Sequence, residues 1–247
     1  MDETATLTVI GSGSSGNSYA IRAGGEILLL ECGLKKSNIL RGISYKTADV
    51  VGCFISHEHK DHCGYLKDIQ KYGFPIFASE NVARRISEMY NIKIQGAKRN
   101  ASKVLGGFSV VPLQVPHDGV ECDGFLVSHK AFGKLIFLTD LEYCPYDLSG
   151  LGINIALIEC NYKAEYLSDV AYRGHVLSGH MELDTCRRFI EKISNENLRN
   201  VVLIHLSNDN ADAREFQNTL VNSCPNGCEL SVAYSGLTID IGGKNQC

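Results

Sequence analysis

No run of about 18 apolar residues occurs in the 247-residue chain, so no segment reads as a membrane-spanning helix. The opening MDETATLTVIGSG lacks a basic stretch followed by an apolar one and does not resemble a secretion signal. No low-complexity tract and no repeat with a period of roughly 20 to 50 residues is visible, which excludes solenoid and linker-rich architectures. Without a linker, residues 1–247 are expected to form one domain, and 44% hydrophobic content is enough for a thick core. Bulk charge is small as well. A net charge of -4 does not mark the chain as a nucleic-acid binder.

A disulfide framework is missing too, although there are ten cysteines. Cys53, Cys63 and Cys160 are scattered through apolar strands or beside polar candidates, so reduced thiols and a cytoplasmic location are expected. Cys224 and Cys228, in CPNGC, have a spacing that suits a metal pair. No second pair accompanies them, and they read as a turn.

What the chain has is histidine in an ordered pattern. Six of its eight histidines stand at His57, His59, His62, His117, His180 and His205, while His129 and His175 stand alone and read as surface or core residues. The run His57, Glu58, His59, Lys60, Asp61, His62 follows the apolar stretch from Val50 to Ile55 and precedes a helix-like stretch over 63–72. Residues two apart in an extended segment face the same way, so His57 and His59 can reach one ion together. Asp61 and His62, where the chain turns into the helix, point elsewhere and can serve a second. Imidazole with a hard carboxylate suits zinc and admits manganese or iron.

Strand-like apolar runs recur at Leu7–Ile10, Ser18–Ile21, Ile27–Glu31, Val50–Ser56, Ile76–Ala78, Phe108–Val115, Gly124–Ser128, Leu135–Thr139, Ile155–Glu159, Val201–His205, Leu230–Tyr234 and Thr238–Ile241. Helical patterns cover 63–72, 80–90, 181–194 and 211–222. Two groups of strands with helices outside predict a layered α/β sandwich. His117, Asp140 and His205 each follow an apolar strand, so one edge of the sandwich should collect them.

Two further segments carry alternatives. Residues 84–103 hold Arg84, Arg85, Lys93, Lys98, Arg99 and Lys103 against Glu88 alone, which fits either an arm for a nucleic-acid backbone or a solvated basic face. The loop Gly11–Ser18 has three glycines and four serines, so its backbone N–H groups with Ser12, Ser14, Ser15 and Asn17 can hold a phosphate, or it is a plain hairpin turn. Asn161, Ser207 and Asn210, close after Glu159 and His205, are candidate substrate contacts that otherwise satisfy turns.

The order HxHxDH, then His, Asp and His, resembles the metallo-β-lactamase superfamily over nearly the whole chain. The resemblance implies a four-layer αββα sandwich with a dinuclear metal site at the sheet edge. It implies His57, His59 and His117 on one ion, Asp61, His62 and His205 on the other, and Asp140 bridging them. A zinc β-lactamase would typically have cysteine in place of Asp140, whereas glyoxalase II and lactonases share all seven ligands. Glu159 in ALIECN and His180 in LSGHME, read as opening a helix, resemble the pair beside the metals in nucleases typified by RNase Z, in which the histidine assists the leaving group. The chain also resembles the YycJ/WalJ family of single-domain nucleases at GSGSSGNS, HEHKDH, FLTD, ECN, GH and HLSNDN, a family associated with digestion of DNA from 5' ends. Met181, Glu182 and Leu183 depart from the Leu-Ser-Asn that usually follows the GH pair. Positions 141 to 204 leave no room for a β-CASP insertion.

The resemblance therefore implies a phosphodiesterase with two divalent ions, zinc or manganese, acting on nucleic acid and most directly on DNA as a 5'-to-3' exonuclease. Two cations lower the pKa of a bridging water, which attacks phosphorus, and they neutralise the phosphate oxygens. Asp61 orients that water. His180 protonates the leaving group, and Glu159 holds its ring. Hydrolysis of a cyclic nucleotide uses the same groups in an enclosed pocket, whereas thioester or lactone hydrolysis does not need Glu159 and His180. A binding protein without turnover would be expected to lose ligands first. The sequence implies no membrane partner and no obligate protein partner.

Overall fold

The computed structural model of the chain describes residues 4–167 and 170–243; at 170–173 and 175 only the backbone is described, so the side chain of His175 lies outside the described residues. The described strands are β1 (Ala5–Gly11), β2 (Ser18–Ala23), β3 (Glu26–Leu30), β4 (Val50–Phe54), β5 (Ile76–Ser79), β6 (Gln95–Ala97), β7 (Lys103–Leu105), β8 (Phe108–His117), β9 (Val120–His129), β10 (Gly133–Leu138), β11 (Ile155–Glu159), β12 (Asn200–Ile204), β13 (Glu229–Val232) and β14 (Thr238–Asp240). The helices are α1 (Lys36–Gly42), α2 (Lys60–Cys63), α3 (Leu66–Ile69), α4 (Glu80–Tyr90), α5 (Val170–Gly179), α6 (Leu183–Ile193) and α7 (Ala213–Leu220).

Two seven-stranded sheets form, in the orders β14-β1-β2-β3-β4-β5-β6 and β13-β12-β11-β10-β9-β8-β7. The period-2 geometry of strands divides their apolar residues between three cores. Leu7, Val9, Tyr19, Ile21 and Phe54 of the first sheet meet Phe125, Val127, Phe137, Leu157 and Val202 of the second between the sheets. On the outer face of the first sheet, Ala20, Leu29, Cys53 and Ala78 pack against Ile39, Leu66, Val82 and Ile86 from α1, α3 and α4. On the outer face of the second, Ile136, Ile158 and Leu203 pack against Cys186, Phe189, Ile190 and Phe216 from α6 and α7. The layers are thus helix, sheet, sheet, helix, the αββα sandwich expected. Strands β10, β11 and β12 are covered on both faces, which is why they read as continuous apolar runs.

Direction in the sheets positions the site. Strands β3, β4 and β5 are mutually parallel, as are β10, β11, β12 and β13. Their carboxyl ends deliver Glu31, His57, Asp140, Glu159 and His205 to one edge, the place where open α/β sheets collect functional groups.

All twelve expected strands are present, and four elements were not anticipated. Strands β6 and β7 are three residues each and largely uncovered; α1 buries only Ile39; α5, VAYRGHVLSG, carries two glycines and no apolar stripe at helical spacing. The helix expected over 63–72 is instead broken into α2, α3 and a 3₁₀ turn at Gln70–Tyr72. The break has a cause in the backbone: the Tyr65 N–H donates to Cys32 O at 3.1 Å, and Asp61 O accepts instead from Asn17 N at 2.7 Å. His180 does not open a helix as expected. It lies just past the last residue of α5, and α6 starts behind an N-cap at Glu182, whose carboxylate accepts from Asp184 N and Thr185 N.

Candidate metal centre

Three groups of donors converge at this edge, each with its ligand atoms within 4.8 Å of one another: His57, His59, His117 and Asp140; Asp61, His62, Asp140 and His205; and Asp140, Glu159, His180 and His205. Asp140 belongs to all three. Its Oδ2 lies 3.3 Å from His57 Nε2, 3.1 Å from His62 Nε2 and 3.8 Å from His117 Nε2, and its Oδ1 lies 3.0 Å from His205 Nδ1. Asp61 Oδ2 is 3.2 Å from His62 Nε2 and 3.5 Å from His205 Nε2. His59 turns its Nδ1 to within 3.2 Å of His117 Nε2.

These spacings suit divalent ions. Two ligand atoms about 2.1 Å from one ion at a tetrahedral angle stand about 3.4 Å apart. His57 Nε2 and His205 Nε2 are buried without a hydrogen-bond partner among the described residues, although carboxylate oxygens lie close by. A buried polar atom left unpaired is costly, and a cation between imidazole and carboxylate removes that cost.

The outer nitrogens of the rings fix which atom faces inward. His117 Nδ1 donates to Gly179 O at 2.6 Å; a carbonyl only accepts, so Nδ1 carries the proton and Nε2 keeps its lone pair. His57 Nδ1 bonds Ser56 Oγ at 2.8 Å, with Cys122 Sγ 3.7 Å away. His62 Nδ1 faces Glu31 Oε2 at 3.4 Å, and Glu31 Oε1 accepts from Ser56 N at 3.1 Å. Glu31 and Ser56 are buried residues that sequence reasoning passed over as strand termini. Glu31, Asp140 and His205 all have left-handed backbones, with φ of 65°, 50° and 54°. Such conformations are costly for residues with a Cβ, and here they cluster where three strands release their chains into the site.

Glu159 is buried and shared. Its Oε1 accepts from His180 Nδ1 at 2.8 Å and His205 Nδ1 at 3.1 Å, and its Oε2 accepts from Leu141 N at 2.8 Å. Burial opposes the His180 imidazolium, but the Glu159 carboxylate outweighs it and raises the pKa above the usual histidine value. Burial likewise opposes a charged His205, yet Asp140, Asp61 and Glu159 lift it to about 10. His57 goes the other way, pushed down to about 3 by burial and by its neighbour His62. Burial disfavours an ionised Asp140, and the surrounding imidazoles nonetheless hold it well below the carboxylate range. The His180 ring stands 5.5 Å from His205 and 5.6 Å from His117, centre to centre.

The candidate substrate contacts divide. Ser14 and Ser15 are exposed at the tip of the Gly11–Ser18 loop. Ser12 and Asn17 are turned inward: Ser12 Oγ accepts from His205 N at 2.9 Å, and Asn17 Nδ2 reaches His62 Nε2 at 3.0 Å and Asp61 Oδ2 at 3.3 Å. Asn161 Nδ2 donates to His205 O at 2.8 Å, clamping the left-handed residue. Ser207 Oγ accepts from Asp209 N and Asn210 N, a local turn, and Asn210 Nδ2 lies 3.4 Å from the same oxygen. Cys224 and Cys228 bracket a turn, with Cys228 N donating to Pro225 O.

In the strip at 84–103 the three arginines face acids, whereas Lys93, Lys98 and Lys103 make no ion pair among the described residues. Arg85 pairs with Glu58 at 2.5 Å, Arg99 with Glu121 and Asp123 at 2.6 Å each, and Arg84 faces Glu88 at 3.9 Å. The acids for Arg99 come from β9, distant in sequence, which counting charges within the strip could not reveal.

With this geometry in view, the profile of the family described as Beta-lactamase superfamily domain matches residues 34–206. The chain belongs to this superfamily. Exodeoxyribonuclease WalJ of Streptococcus pneumoniae serotype 2 is 27% identical over 253 residues, covering 94% of this chain and 91% of that protein. Exodeoxyribonuclease YycJ of Bacillus anthracis is 26% identical over 220 residues, covering 83% of each chain. The crystal structure of the metallo-β-lactamase fold protein YhfI from Bacillus subtilis superposes with a TM-score of 0.76 at 19% identity, over 96% of this chain and 99% of that one. The superfamily fold and the His/Asp clusters together make this chain a metal-dependent hydrolase.

Proposed function

We propose that the chain is a phosphodiesterase that cleaves nucleic acid, acting on DNA as a 5'-to-3' exonuclease. In this reading it works as a single domain, in the cytoplasm, with two divalent ions, zinc or manganese. The observation that carries the reading is the Glu159–His180 pair, 2.8 Å apart and set against the donor cluster. A hydrolase of thioesters or lactones has no need of it. The relatives named exodeoxyribonuclease, similar over most of the chain, support nucleic acid as the substrate.

His57, His59 and His117 would hold one ion, Asp61, His62 and His205 the other, and Asp140 would lie between them. When bound, such ions generate a nucleophile from water near neutral pH and neutralise phosphate oxygens. The protein's own groups do the rest. Asp61 orients the attacking water through its carboxylate. His180, with Nδ1 fixed by Glu159, presents Nε2 to the leaving 3' oxygen and donates a proton as the P–O bond breaks. The raised pKa keeps that proton available near neutrality.

The test is protein reconstituted with zinc or manganese, incubated with labelled single- and double-stranded DNA, matching RNA and a cyclic dinucleotide. Stepwise release of mononucleotides from DNA 5' ends is expected. Cleavage confined to RNA or to the cyclic dinucleotide would contradict the reading.

A further inference from the structure

A second basic segment lies outside 84–103. Residues 34–48, LKKSNILRGISYKTA, carry Lys35, Lys36, Arg41 and Lys46 and no acid. All four cations are exposed, and none makes an ion pair among the described residues. The segment starts at the metal centre. Cys32 N donates to His62 O at 2.7 Å, and Gly33 packs so tightly under the ligand turn that a Cβ there would lie 1.5 Å from Asp61 O. From that point the chain runs through α1, a helix about 10 Å long.

Under the last turn of α1, against the outer face of β14, β1 and β2, lies a cavity of about 510 Å³. Arg22 and Arg41 line it with the hydroxyls of Thr6, Thr8, Thr238 and Ser44, and no carboxylate does. Arg22 spends one N–H on Gly42 O at 3.1 Å, which anchors it and leaves other donors of the guanidinium to face the cavity. Asp49 is within Coulombic reach of Arg22 but is not part of the lining. Two guanidinium groups among hydroxyl donors, without a competing acid, are the chemistry of phosphate recognition. Strand β1 connects this cavity to the site directly, since it leads into the loop whose Ser12 accepts from His205 N.

We infer that this cavity binds a phosphate ester, supplied by the backbone of a nucleic-acid strand that runs from the metal centre along α1. The inference rests on the nuclease reading for the identity of the strand; the preference for a phosphate ester rests on the cavity alone. A released mononucleotide carries the same group and is the alternative source.

The test compares the metal-loaded enzyme with Arg41→Gln, whose side chain is exposed, with Arg22→Gln, and with Arg84→Gln as a control on the other basic segment. Kinetics are measured on single-stranded DNA over a range of salt, and on bis(para-nitrophenyl) phosphate, which is too small to reach both sites. For Arg41→Gln and Arg22→Gln, KM for DNA is expected to rise about 10-fold with kcat held within about twofold, and the salt slope of log KM to fall by about one. Hydrolysis of the small diester should not change, and the control should match the parent. Unchanged KM and salt slope in both cavity variants, or an equal effect in Arg84→Gln, would overturn the inference. Should the parent hydrolyse the small diester but no nucleic acid, the nuclease reading fails by itself. Calorimetry with a deoxynucleoside monophosphate then decides the cavity: binding lost in Arg41→Gln supports a phosphomonoester site, and no binding to the parent refutes one.

Discussion

His129 and His205 are both buried histidines at the ends of strands in the same sheet, and they stand at opposite edges of it. Strand β9 runs antiparallel to β10, with His129 opposite Gly133, so His129 lies where β10 begins and His205 where β12 ends. His129 Nδ1 accepts the Ala131 N–H at 3.1 Å, and its ring packs 4.8 Å from Phe108 and 5.6 Å from Phe132. Burial lowers its pKa and keeps it neutral. His205 is equally hidden, but it faces Asp61, Asp140 and Glu159, has a left-handed backbone and leaves Nε2 without a hydrogen bond. Burial therefore does not separate a structural histidine from a ligand. The partners do: backbone and aromatic rings in one case, carboxylates and a buried Nε2 without a hydrogen bond in the other.

The largest effect is expected at Asp140. Asp140→Ala removes the carboxylate shared by all three donor groups, and metal analysis should show at least one ion lost, with turnover falling below detection. Retention of both ions would mean that the groups do not act as one site. Ser56→Ala takes away only the partner of His57 Nδ1. It should weaken metal affinity by about 10 to 100-fold in a chelator competition while the fold stays intact.

Glu159→Gln is expected to act through pH. The carboxylate raises the pKa of His180, and a proton donor is lost as pH rises through its pKa. The alkaline limb of the kcat profile should therefore move to lower pH in the variant, and a limb that stays in place would disconnect the pair. The smallest functional effect is expected at the other edge. His129→Ala should cost about 1 to 3 kcal/mol of stability in denaturant titration and leave metal content and kcat unchanged.

Much of the site was legible because its chemistry is local in sequence. His57, His59, Asp61 and His62 fall within six positions, and the alternation of a strand end followed by a helical turn accounts for how they divide between two groups. His117, Asp140, Glu159 and His205 could be placed because apolar strands point to them. What stayed hidden depends on contacts between distant segments. Glu31 reads as the last residue of a strand, and only folding brings it against His62. The left-handed backbones of Asp140 and His205 have no signature in residue type, since glycine is absent there. Helix α1 buries a single residue, Ile39, and so has no apolar stripe to announce it. Arg99 looked like a free cation because Glu121 and Asp123, which neutralise it, lie on another strand.

The proposed reaction is phosphodiester cleavage at the edge holding His205, with His180 as proton donor. The most direct measurement is single-turnover cleavage of 5'-labelled DNA by His180→Ala after its metal content has been matched to the parent enzyme. A rate lower by about 10² to 10⁴ at equal metal content is predicted. Cleavage at the parent rate would rule out His180 as the proton donor and leave His180 and Glu159 as supports of His205 alone.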